Sequence, residues 1–111
     1  MGMIENLEAM LAKGDDSALL RYSLGTAHFK QGNLARACEH LARAVAQDAS
    51  YSAAWKAYGQ ALAAVGRVDE AQAAYASGIR VAEGRGDLQA AKEMGVFLKR
   101  LQKNVPAGAS D

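Results

Sequence analysis

Apolar residues recur along this chain at three- and four-residue steps, interrupted by glycine or by short polar runs. Met3, Leu7, Met10 and Leu11 open the series, spaced as one face of an α-helix. Gly14 closes it, where glycine commonly sits just past a helix end. Asp15, Asp16 and Ser17 then offer N-caps. Read on in this way, the pattern predicts six helices, over residues 4–13, 17–31, 34–47, 51–65, 68–83 and 88–103. Gly32 and Asn33 make the turn before the third, which Asn33 is expected to cap. Asp48, Ala49 and Ser50 break the chain before the fourth. Asp69 and Glu70 stand in the first turn of the fifth helix, and Lys99, Arg100 and Lys103 in the last turns of the sixth, the signs that the helix dipole favours. Asp87 is expected to cap the sixth. Its residues Leu88, Ala91, Met94, Leu98 and Leu101 form a single apolar stripe.

Two stretches match each other, ungapped, at an offset of 34 residues: Gly25 falls on Gly59, Ala27 on Ala61, Gly32 on Gly66, Ala37 on Ala71 and Ala42 on Ala76. A fixed period of this length means stacked helical units. Such units bury a core between neighbours and present an extended binding surface. Gly25 with Ala37, and Gly59 with Ala71, are expected to face each other across a helix pair and let the axes approach. Leu41 and Tyr75 are expected to fill the gaps between units. Gly78, the sister of Ala44, is expected to accept a methyl group.

Composition narrows the picture. Alanine is abundant and there is one proline, both favouring helix. The length, 111 residues, suits one domain. The formal net charge of +1 supplies no field that would steer the chain to nucleic acid or an acidic membrane. A single cysteine, Cys38, cannot form an internal disulfide, which fits a reducing compartment. Glu5 and Glu8 interrupt the N-terminal apolar pattern, unlike a signal peptide. Asn6 stands where a myristoylation signal wants Ser or Thr. No apolar run approaches the roughly 18 residues that span a bilayer. A cytoplasmic location is expected.

The two matching stretches resemble the tetratricopeptide repeat, a 34-residue helix–turn–helix unit. The second unit, 52–85, supplies Trp55, Tyr58–Gly59, Leu62, Ala71, Tyr75 and Gly78 at the pattern positions. The first, 18–51, supplies Arg21, Leu24–Gly25, His28, Ala37, Leu41 and Ala44. Two features depart from the pattern: Arg21 replaces the opening Trp of the first unit, and Ala49 and Glu83 stand in place of the closing prolines. The resemblance implies an all-α, right-handed helical-repeat solenoid of antiparallel helix pairs. In that frame residues 1–104 make one domain: an N-terminal helix at 3–14, the two repeats, and a capping helix at 87–103. Residues 105–111, just after the helix, are expected to be a disordered tail. The first helix falls in the frame as the remnant half of a preceding unit. The sixth departs from it, with Lys92–Glu93 where Leu–Gly belong, as a terminal cap should.

No residue pattern points to catalysis, and no cofactor or metal site is expected. His28 occupies a core aromatic position of the repeat, and His40 is placed on the outer face of its helix. Neither has a second His four residues away, and there is no Cys pair, so metal-ligand spacing is absent. Cys38 lies on a core stripe, where a free cysteine acts as a small hydrophobe. Gly84–Arg85–Gly86 lacks the following Lys–Ser/Thr and the preceding strand of a phosphate loop. Asp15–Asp16 and Asp69–Glu70 are helix-start carboxylates.

What the resemblance implies about function is a concave groove that takes a partner peptide. Position by position this gives Leu19, Tyr22, Thr26, Phe29 and Lys30 from the first unit and Ala53, Lys56, Gln60, Ala63 and Ala64 from the second. Leu19, Tyr22 and Phe29 would be exposed apolar anchors flanked by Lys30 and Lys56, unless a flanking helix covers part of the face. Tyr22, Thr26 and Ala57 occupy the places where the family's chaperone-binding members carry a carboxylate clamp, so that use is excluded. The expected function is non-catalytic binding of a protein or peptide, as an adaptor or assembly factor, by a monomer. Self-association into a homodimer is the alternative.

Overall fold

The computed structural model describes residues 2–103; the expected tail lies outside them. Six α-helices follow one another: α1 (Met3–Ala12), α2 (Ala18–Lys30), α3 (Leu34–Gln47), α4 (Ser52–Ala64), α5 (Val68–Gly84) and α6 (Leu88–Lys103). The third and sixth start and stop where the apolar periodicity places them. The others differ by a residue or two, within the fraying of helix ends.

The helix ends show why. Past α2, Gly32 N–H donates to the Phe29 carbonyl and Asn33 N–H to that of His28; past α4, Gly66 and Arg67 repeat this on Ala63 and Leu62. These paired bonds are the Schellman arrangement, which needs a left-handed residue at its centre. Gly32 and Gly66 provide it, at φ of 80° and 84°. Ser17 caps α2, its Oγ accepting from Leu20 N–H at 3.1 Å. Asp87 caps α6, its Oδ1 accepting from Ala90 N–H at 3.3 Å. Asn33 does not cap α3: its amide instead donates to His28 Nδ1 at 3.2 Å. Before α4, Asp48 Oδ1 accepts from the Ser50 hydroxyl and backbone N–H, a local turn that serves where a closing proline would otherwise stand.

Helices α2 and α3 pair, as do α4 and α5; α3 lies against α4, and α6 lies on α5. Contacts of α2 with α4 and of α4 with α6 set these three side by side, so α6 extends the inner row as well as covering α5. Leu24, Leu41, Leu62 and Met94 are the largest fully buried side chains. The glycines are seats for large residues of the following helix. A Cβ at Gly25 would run into Leu41, and one at Gly59 into the Tyr75 ring. Leu41 and Tyr75 therefore fill cradles inside their own units, and as expected each also packs onto the next one, Leu41 in a cluster with Ala61 and Leu62 and Tyr75 in one with Met94. The expected pairing of Gly25 with Ala37 and Gly59 with Ala71 does not describe the close approach. Cys38 is buried and free. Helix α1 contributes no fully buried residue; its backbone lies close to α2 only, and Glu8 reaches on to Arg36 of α3.

Candidate functional site

The ten groove residues divide among different surroundings. Thr26, Phe29 and Lys30 of α2, Leu41 of α3, and Ala57 and Gln60 of α4 line one mostly apolar pocket of about 260 Å³. It opens where α2 and α4 run side by side. Phe29 reaches it because the i, i+3 spacing puts it on the same face as Thr26, and Lys30 follows at the rim, exposed. The Thr26 hydroxyl donates to its own helix, at Ser23 O, 3.1 Å away, leaving its methyl to the pocket. Four of the ten residues thus share one concavity, and Leu41 and Ala57 complete it.

The other six do not join them. Leu19, 64 % exposed, and Ala53 line a separate depression near the start of α4, with Tyr51 and Arg85. Tyr22 is not an exposed anchor. Its ring lies 5.0 Å from that of Tyr51, and it packs against two buried clusters around Leu41 and Ala44. Aromatic contact inside the repeat stack has claimed it. Lys56 is not a free groove cation: its Nζ donates to Glu93 Oε1 of α6 at 3.0 Å. This bond holds the Glu93 carboxyl below its usual range. Ala63 packs against the core, and Ala64 is exposed. The missing signal was α6, whose stripe foretold a cap on α5 but not a neighbour to α4.

A second constellation was not foreseen. His40 is buried, not on an outer face, at 7 % exposure. Its ring stacks on that of buried His28, centroids 5.4 Å apart and planes 10° from parallel. Arg21 explains the inward turn. Standing where the repeat pattern carries Trp, it donates from Nη1 to His40 Nδ1 at 3.2 Å, while its Nε and Nη2 grip Asp16 at 2.8 and 2.9 Å. Burial, then the Arg21 charge, push the His40 pKa down. Glu8 reaches over from α1, its Oε2 3.6 Å from His28 Nε2.

Short helices packed in successive pairs, glycine-seated and repeating every 34 residues, define a helical-repeat protein. The tetratricopeptide repeat family model matches residues 28–94, and the chain belongs to that family. It is 50 % identical over 101 residues to a TPR repeat-containing protein of Pseudomonas aeruginosa, covering 91 % of this chain and 96 % of the relative. A protein from Bordetella parapertussis, solved in solution, shares 42 % identity at a TM-score of 0.79, over 93 % of this chain and 90 % of that one. A tetratricopeptide repeat domain protein from Salinibacter ruber shares 26 % identity at 0.75, over 81 % and 91 %. Repeats of this family generally mediate protein–protein interaction and are generally non-catalytic. Among the described residues no helix is long and apolar enough to cross a membrane.

Proposed function

We propose that this protein is a non-catalytic adaptor or assembly module whose α2–α4 pocket holds one apolar side chain of an extended partner segment. The observation that carries this is the pocket itself: half-enclosed, apolar-walled and flanked by Lys30 and Gln60. Apolar anchors in such pockets dominate binding energy, and truncating one commonly costs about 2 kcal/mol or more. Lys30 at the rim selects an acidic neighbour and acts mainly through association rate and salt dependence. With Tyr22 drawn into the stack and Lys56 tied to Glu93, the recognition element contracts to Thr26, Phe29, Lys30 and Gln60. The reading places the protein in the cytoplasm, as a monomer.

A peptide-display selection against the immobilised protein tests this. Enriched sequences should carry a single apolar anchor beside an acidic residue. Phe29→Ala should weaken them tenfold or more, and Lys30→Glu should weaken them most at low salt, with circular dichroism unchanged. Peptides indifferent to both substitutions would place binding elsewhere.

A further inference from the structure

We propose that Glu8, His28 and His40 form a site for a divalent first-row transition ion of the Zn²⁺ class. One potential ligand atom from each of the three residues lies within 4.8 Å of the other two. The Nε2 atoms of both histidines are buried and find no hydrogen-bond partner among the described residues. Two unpartnered polar atoms side by side are costly in a small protein, and once each ring carries its proton on Nδ1 a shared cation would satisfy both. Two imidazoles and a carboxylate suit Zn²⁺ and its neighbours, whereas Mg²⁺ and Ca²⁺ want oxygen alone. The residues come from α1, α2 and α3, so no spacing within one helix announces them.

The site has an entry and room to contract. Glu8 and His28 line a depression of about 520 Å³ with Asn33, Leu34, Ala35 and Arg36, which leaves a fourth coordination position open to solvent. Tetrahedral ligands about 2.0–2.2 Å from zinc stand about 3.3 Å apart, so the cluster must tighten. Glu8 is the ligand able to move, because α1 has no buried residue.

Two arginines oppose the ion, and they define how binding works. Arg36 Nη1 lies 4.0 Å from Glu8 Oε2 and is exposed enough to swing away. Arg21 can only donate, so its bond to His40 Nδ1 puts the neutral ring's proton on Nε2. Metal binding needs the opposite tautomer. Nη1 must release Nδ1, while Asp16 keeps the rest of the guanidinium in place. At His28 the change is easier, since the Asn33 amide can turn over and accept from Nδ1–H.

Titration of the full, chelator-stripped protein with Zn²⁺ tests the proposal. One equivalent should bind with Kd of about 10 µM or tighter, raise the melting temperature, and go unchallenged by excess Mg²⁺. Glu8→Gln, which alters no buried residue, should weaken binding at least tenfold, and His40→Phe should do the same. Arg21→Met should tighten it by freeing Nδ1. Weaker wild-type binding, Glu8→Gln and His40→Phe both within twofold of wild type, or Arg21→Met binding less tightly than wild type would each overturn the assignment.

Discussion

A methyl group added at Gly78 would lie 2.7 Å from the Cβ of Trp55 and 2.5 Å from the Sδ of Met94. Met94 can bend away, but the Trp55 Cβ is fixed to its helix. The equivalence with Ala44 therefore misleads: the second unit has α6 above it, and the first has α4. Gly78→Ala gains about 1 kcal/mol of helix propensity but overpacks, at about 1–3 kcal/mol. A net loss is expected in chemical denaturation. Gly95, on α6, has nothing among the described residues within 4 Å of its would-be Cβ. Gly95→Ala should stabilise by up to about 1 kcal/mol, so the two alanines should move the midpoint in opposite directions. Gly25→Leu and Gly59→Leu should be worse than either, because Leu41 and Tyr75 already occupy those cradles. Melting temperatures within a degree of wild type for both would contradict the seating.

Among elements, the α1–α2 connection is pinned by one carboxylate. Asp16 accepts from Arg21 of α2 and from Gln47 of α3 at 2.8 Å, and Arg43 stands 3.6 Å away. The bonds from Arg21 and then Gln47 hold its pKa well below the usual carboxylate range. A lowered folded-state pKa means the stabilisation is full above the unfolded value and fades as pH falls through the folded one. Wild type should thus exceed Asp16→Asn in melting temperature at neutral pH, with the gap closing below about pH 4. Removing α6 should do more. Tyr75, Ala82 and Met94 form one buried cluster with partly buried Phe97, Leu98 and Leu101, so deleting 88–111 should give a protein that binds hydrophobic dyes and aggregates.

These elements were legible because helix existence depends on local periodicity and caps. Leu88 to Leu101 announced α6, and Gly32 and Gly66 announced two turns. What stayed hidden depends on contacts between units. Asn33 has the chemistry of a cap, yet His28 takes its amide. Tyr22 has the spacing of a groove residue, yet Tyr51, from the junction before α4, draws it into the stack. His40 follows an exposed Glu39 and precedes a core Leu41, and periodicity alone leaves its side undecided; Arg21 across the helix pair decides it.

At the scale of the whole molecule, α2, α4 and α6 lie side by side, and the Lys56–Glu93 pair ties α4 to α6. That pair lies at the surface, where solvent screening leaves an ion pair little weight in stability. Its effect is on access: Glu93→Ala should free Lys56 and broaden the set of acidic peptides that bind, with little change in melting temperature. Tyr22→Ala, by contrast, should lower stability, because its ring is packed. Light scattering across a hundredfold concentration range should give a constant mass near 11.7 kDa; a mass that rises towards twice this value would favour the homodimer.

The bare attachment of α1 has a consequence in time. A segment with no fully buried side chain opens at less cost than the rest, so its opening free energy lies below that of global unfolding. Gly14, at φ of 98°, is the natural pivot. Amide protons of α1 should exchange with deuterium orders of magnitude faster than those of α3 or α5 in native buffer. The chain then behaves as two cooperative blocks of unequal lifetime, a five-helix body and a terminal arm that comes and goes.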